Sequence, residues 1–234
     1  MRRVVVFLVD GLRPDAISPG VAPSLHALGA EFTVALRAST VRPSATVPAL
    51  ASLATGVAPA THHLTEPGLS FLSTLGFLRP VARELAHHGI PTEVVTAAPA
   101  ARSPVFRVPA RVRSSGARHG WMSRPYLDAV AEVDAAIGAL AAWTSDTVFV
   151  VTADHGGGVT STEHDETHPE NEHIPLIVAG PGVPRRHQLT RPVSLLDVPA
   201  TVLWWFGVPV PQSYEGRALI EAFAQAPHAA AVAI

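Results

Sequence analysis

Six apolar residues in a row, Val4–Val9, open the chain and stop at Asp10-Gly11. A Val-rich run without polar alternation predicts a strand buried on both faces, as in a parallel sheet. The same pattern recurs at Asp146–Thr152 and at Ile174–Ala179, with Thr92–Thr96 as a further strand candidate. Between these runs the spacing turns helical. Leu25 and Leu28 follow Pro23-Ser24, and Val47–Thr55 stops at Gly56, a suitable residue just past a helix end. Leu78, Val81 and Leu85 form another short stripe, closed by Gly89. Leu127, Val130, Val133, Ile137 and Leu140 line one face of the longest predicted helix, Ser123–Ala142. Val198–Phe206 reads as a buried helix ended by Gly207. Alternating strands and helices predict an α/β fold with a mostly parallel sheet covered on both faces. In such sheets ligands gather at the carboxyl ends of the strands.

Composition narrows the picture. The 234 residues are 47% hydrophobic and 15% charged, which suits one well-cored domain over 1–222, shortened at 97–120, with an Ala-rich tail over 223–234. A net charge of −2 gives no drive toward nucleic acid polymers or anionic membranes. The absence of cysteine excludes disulfides and Cys-ligated metals. MRRVVVFLVDG has too short an apolar run for a signal peptide and no small-residue cleavage site, so a cytoplasmic protein is expected. Residues 97–120 carry five arginines and no acid, and read as an irregular basic surface loop or a phosphate-attracting one.

The candidate chemistry lies at the predicted strand ends. Asp10 follows the first strand and Asp154-His155 follows Asp146–Thr152, ahead of three glycines. An acid- and His-rich stretch, TEHDETHPENEH, occupies 162–173. Alone, each is an ordinary turn or a solvated loop. Converging on one edge, carboxylates and imidazoles make a hard-metal site suited to hydrolysis. Thr46 opens the Val47–Thr55 helix, where free backbone N–H groups and the helix dipole favour a phosphoryl group. The competing reading of Ser44 or Thr46 is a plain N-cap.

VFLVDGLRPDA, PSATVPALASLATGVAPATHHL, VTADHGGG and HDETHPENEHIPLIVAGPG, in this order, resemble the alkaline phosphatase superfamily, closest to its nucleotide pyrophosphatase/type I phosphodiesterase-like branch. The Thr46-Val47-Pro48 and Thr55-Gly56 steps, then Pro59 and His62, keep that branch's spacing. The resemblance implies a three-layer αβα sandwich, zinc (one or two ions, with manganese or iron as alternatives), a covalent phospho-threonine, and a small phosphate ester or nucleotide-like substrate. It implies Asp10, Thr46, Asp154 and His155 as ligands of one metal, and His164, with His168 as its rival, as a ligand of a second. The chain departs from the pattern at 113–117, where Arg113 and Ala117 stand in place of an Asp and a His. That leaves two expectations: Arg113 or Arg118 supplies positive charge to the substrate, or the chain is an impaired paralogue lacking the second metal. Sulfatases share this fold but require a Cys or Ser convertible to formylglycine, with Pro and Arg two and four residues on. Here the residues are Thr46, Pro48 and Leu50. His164 and His168 also have a zincin's spacing, but Glu does not directly follow the first His and Pro169 follows the second.

Overall fold

A computed structural model describes residues 3–65, 80–92, 111–143, 146–158 and 168–225. The first apolar run forms β1 (Arg3–Leu8), which pairs in parallel with β3 (Thr147–Thr152), all six residues of which are buried. β3 is flanked on its other side by β4 (His173–Ala179), then β2 (Thr33–Ser39), then the two-residue β5 (His187–Gln188). β4 is antiparallel to both its neighbours, and the other strands share one direction. The sheet is therefore mostly parallel, with one reversed strand near its middle. That reversal positions the site: β4 begins at the edge where β1 and β3 end, and His173 sits opposite Ser39 at the close of β2.

The helices are α1 (Pro23–Glu31), α2 (Thr46–Thr55), α3 (Pro59–His62), α4 (Val81–His87), α5 (Arg111–His119), α6 (Arg124–Trp143), α7 (Pro169–Glu172) and α8 (Asp197–Trp205). α1 packs on α6 and β4, and α6 on α5, while α8 packs on α4 and α2. The sheet lies between these two groups, and Phe7 and Phe149 stack across β1 and β3 at 6.0 Å. No helix among the described residues is long and apolar enough to cross a membrane.

Three sequence expectations change. The apolar pattern does not announce β2, because Thr33, Arg37 and Ser39 interrupt it in TVALRAS. Residues 111–119 are a helix and not irregular loop, because Val112 and Gly116, four apart, make a narrow buried stripe against the next segment. Phe223, assigned to the tail, is buried; its ring stacks on Trp205 at 4.8 Å, and Ala224 N donates to Gly182 O. Leu78, most of Thr92–Thr96 and residues 97–110 lie outside the described residues.

α2 is anchored at its far end. Gly56 closes it at φ 73°, a left-handed turn, with the Tyr214 ring 2.3 Å from where a Cβ would sit. His62, fully buried, touches Ser52 Oγ through Nε2 at 3.0 Å and accepts from Leu64 N at Nδ1, 2.9 Å away. That acceptor role requires a bare Nδ1, and burial lowers the His62 pKa below its ordinary 6.5. The unfolded chain takes up this proton first on acidification. Folding stability is thus full above about pH 6.5 and falls as the pH drops toward the folded pKa. Denaturant titrations of wild type and His62→Gln at stepped pH should show this slope in the wild type and a flatter one in the variant. Parallel curves would assign the slope to other groups.

Candidate metal centre

The carboxyl edge of the sheet gathers Asp10, Asp154 and His155. β1 delivers Asp10 two residues past its end, and β3 delivers Asp154 and His155. One ligand atom from each lies within 4.8 Å of the others. Asp154 and His155 are fully buried, whereas the Asp10 side chain keeps 43% of its surface open. Asp154 Oδ1 accepts from Gly11 N and from its neighbour His155 N, each at 3.0 Å, so the carboxylate is clamped in one rotamer. His155 Nδ1 lies 2.8 Å from Gly156 O. A carbonyl can only accept, so Nδ1 carries the proton and Nε2 presents its lone pair inward. That Nε2 stands 3.4 Å from Asp10 Oδ1, 3.6 Å from Asp154 Oδ2 and 3.2 Å from Thr46 Oγ1.

Thr46 reaches this cluster from the first residue of α2. Its predecessor Ala45 is extended and supplies no side-chain cap, leaving the helix N-terminus open. The N-cap reading of Thr46 fails, since the residue is helical and its hydroxyl points at His155.

Electrostatics mark the cluster as short of a cation. Burial, then the charge of Asp154, pushes Asp10 up to about 8, with Arg113 opposing the rise. Asp10 Oδ1 and Asp154 Oδ2 are buried without hydrogen-bond partners. Two such unpaired oxygens converging on one imidazole nitrogen form a costly arrangement unless a cation joins them.

Neighbouring residues hold the site. Tyr126 OH donates to Gly11 O at 2.9 Å and accepts from Arg13 N at 3.0 Å, fixing the turn after Asp10. Arg13, itself buried, pairs with Asp15 and Glu170 and donates to Gly157 O. The glycines after His155 are required by crowding. A Cβ on Gly156 would lie 2.0 Å from Glu170 O, and one on Gly157 2.0 Å from the Trp121 ring. Neither contact involves a ligand atom, and their role is to admit α7 on one side and Trp121 on the other. Gly157→Ala should therefore destabilise the fold by about 2 kcal/mol or more, lowering Tm in the metal-free protein. An unchanged Tm would contradict the packing.

Of the expected second-metal ligands, His164 lies outside the described residues. His168 is about one-third exposed and caps α7, its Nδ1 accepting from Glu170 N at 3.2 Å. It is not in the metal group found among the described residues. Arg113 Nε is 3.8 Å from Asp10 Oδ1 and has no hydrogen-bond partner. Its Cα lies 3.2 Å from where a Gly11 Cβ would be, so α5 is seated against the turn carrying Asp10. Arg118 is exposed on the last turn of α5. Five residues further on is about 140° round the helix, so Arg118 does not share Arg113's direction. Sequence patterns do not single out Tyr126, Arg13 or Asn171. They act through contacts with distant backbone, and no local signal announces them.

Fold and site together define an αβα sandwich with a group that could hold a metal ion at the carboxyl edge of its sheet. The family models that match are "Sulfatase", over 106–208, and "Type I phosphodiesterase / nucleotide pyrophosphatase", over 4–68. Among curated proteins, Arylsulfatase K of Danio rerio is 34% identical over 106 residues, 41% of this chain and 20% of the relative. Arylsulfatase K of Canis lupus familiaris is 34% identical over 80 residues, 32% of this chain and 15% of the relative. The matched stretches thus span a fifth or less of the length of these relatives. Among solved structures, the phosphonate monoester hydrolase SpPMH from Silicibacter pomeroyi superposes with a TM-score of 0.64 at 17% identity, covering 96% of this chain and 77% of the other. The 2-O GAG sulfatase BT1596 superposes with a TM-score of 0.70 at 14% identity, over 95% and 74% of the two chains. The chain belongs to the alkaline phosphatase superfamily, on its sulfatase-like branch.

The superfamily implies a divalent metal, and the residues present fit one. Ligands about 2.1 Å from a tetrahedral zinc stand about 3.4 Å apart, close to the 3.4 and 3.6 Å between His155 Nε2 and the two carboxylates. The unpartnered oxygens and the inward lone pair supply the donor set.

Proposed function

We propose that the chain is a metal-dependent hydrolase of phosphate or phosphonate esters, with Thr46 as the nucleophile and Asp10, Asp154 and His155 holding the metal. The observation that carries this reading is the Thr46 hydroxyl, 3.2 Å from His155 Nε2 at an open helix N-terminus. A bound divalent ion would lower the hydroxyl's pKa and offset charge on the ester oxygens. Without metal, His155 Nε2 accepts the hydroxyl hydrogen; with that single lone pair given to a metal, the Thr46 oxygen, already aimed into the cluster, would be available to the ion. The free N–H groups of α2 face the developing negative charge. Zinc suits this mixed O/N donor set, with manganese or iron as alternatives. The substrate is a small ester rather than a polymer.

Sulfate ester hydrolysis is the second reading, favoured by the names of the curated relatives. The nucleophile position speaks against it. Formylglycine arises by oxidising a primary β-carbon, whereas the β-carbon of threonine carries a methyl group, and oxidising it would give a ketone. The chain also has Leu50 where the sulfatase pattern has Arg, and no cysteine.

Arg113 fits the role of a fixed cation beside the transferred group, in place of a second metal. Its guanidinium borders Asp10, and its backbone is seated against Gly11. Arg113→Ala should lower kcat about tenfold to a hundredfold, with Arg113→Lys recovering part of the loss. Equal rates in wild type and both variants would remove Arg113 from the reaction.

The deciding experiment offers the metal-loaded protein p-nitrophenyl phosphate, bis(p-nitrophenyl) phosphate, p-nitrophenyl phenylphosphonate and p-nitrophenyl sulfate. Turnover of phosphorus esters alone supports the proposal, and turnover of the sulfate alone replaces it with the second reading. Metal binding with no turnover points to an impaired paralogue.

A further inference from the structure

α7 is one turn long, yet it ties together every segment that builds the centre. Glu172 O accepts from Thr40 N, past the end of β2, at 2.9 Å. Asn171 O accepts from Gly156 N at 2.8 Å, and Glu170 O accepts from Gly157 N at 3.1 Å. The Asn171 side chain is fully buried, and its Nδ2 donates to Ser44 O at 3.1 Å, across 127 positions of sequence. Ser44 stands two residues before Thr46, in the turn that feeds α2. The turn's buried bonds are otherwise local, Ala45 N to Pro43 O and a long contact from Ser44 Oγ to Val41 O, and its exposed Arg42 pairs with Glu172 at 2.7 Å on the outer side. The amide of Asn171 is thus the buried side-chain link from this turn to α7, beside the exposed Arg42–Glu172 pair. Its backbone oxygen meanwhile holds Gly156, whose own carbonyl orients the His155 ring. One residue thus grips the nucleophile's strap with its side chain and the ligand's neighbour with its backbone.

The other end of that amide sharpens the point. Asn171 Oδ1 is buried without a hydrogen-bond partner. Leaving such an oxygen unpaired is costly, and leucine, of similar volume, would avoid the cost. What leucine lacks is the donor to Ser44 O.

We propose that Asn171 is a positioning residue for Thr46: its Nδ2–H bond to Ser44 O sets the Thr46 hydroxyl against His155 Nε2. The effect on rate rests on the reading of Thr46 as nucleophile, whereas the effect on the strap does not.

The test compares wild type with Asn171→Leu and Asn171→Asp, each metal-loaded. In Asn171→Leu, kcat should fall about a hundredfold, as expected for a misplaced reacting group, with KM within about threefold of wild type and metal content unchanged. Amide hydrogen exchange should rise about tenfold in the peptide spanning 41–49 and stay unchanged over 146–158. Asn171→Asp adds a pH signature. The introduced carboxyl keeps a donor toward Ser44 O while it is protonated, and repels that carbonyl once it ionises. The ratio of variant to wild-type kcat should therefore fall as pH rises. Wild-type kcat and unchanged exchange at 41–49 in folded Asn171→Leu would overturn the proposal. So would exchange rising equally in both peptides, the mark of general loosening. If wild type hydrolyses no ester, the functional reading falls, and exchange at 41–49 alone decides this proposal. If Asn171→Leu does not fold, the pH-dependent ratio in Asn171→Asp decides, and a flat ratio overturns it.

Discussion

Thr46→Ala should reduce turnover on the order of ten-thousandfold or more, the scale of losing a covalent nucleophile, while the protein still binds its metal. The separation of the two effects follows from the geometry. Asp10, Asp154 and His155 come from the ends of β1 and β3, and none depends on Thr46 for its position. The Thr46 hydroxyl is the part of that side chain that meets His155, so the substitution removes the attacking oxygen and leaves the ligand set. Thr46→Ser keeps the oxygen and should retain most of the rate. Intact mass after quenching during turnover should show one phosphoryl group on wild type and none on Thr46→Ala. A Thr46→Ala protein with undiminished kcat would end the case for covalent catalysis at this residue, and direct attack by water would take its place.

Asp154→Asn should act in opposite directions with and without metal. In the metal-free protein, the buried Asp154 Oδ2 has no hydrogen-bond partner and faces Asp10 and the His155 lone pair. The amide substitution keeps an oxygen for Gly11 N and His155 N and places N–H donors where the unpaired oxygen stood. It also removes the charge that, after burial, does most to raise the Asp10 pKa. Asp10 then ionises at lower pH, and the metal-free fold gains stability, on the order of a few degrees in Tm. With metal, the loss of a charged ligand should weaken binding by about a hundredfold or more, and activity at limiting metal should fall with it. Paired thermal melts with and without zinc, alongside elemental analysis, separate the two effects. A variant that binds zinc as tightly as wild type would place the metal elsewhere.

Much of the site is legible in the sequence. Asp10 follows an unbroken apolar run and Asp154-His155 one interrupted by Thr152, and a buried parallel strand delivers the residues past its last rung to the sheet edge. Thr46 is legible because a helix opens there and Gly56 closes it. The three glycines are legible as a signal but not in meaning. The need for Gly156 and Gly157 arises from Glu170 O and the Trp121 ring, neither adjacent in sequence. His168 has a ligand's residue type, and its sequence does not announce that its Nδ1 accepts from Glu170 N as the cap of the turn that Pro169 starts.

Taken by itself, the sequence determined the α/β class, the boundaries of most helices and three strands, and the chemical identity of the cluster. These depend on short-range periodicity and on residue types at element ends, which are local quantities. Tertiary structure alone decided that β4 runs against its neighbours and brings α7 to the carboxyl edge. It also decided that residues 111–119 form a helix seating Arg113 beside Asp10, and that Asn171 clasps the strap before Thr46. Strand direction, helix docking and a hydrogen bond spanning 127 positions depend on which surfaces meet, and no sequence window contains both partners.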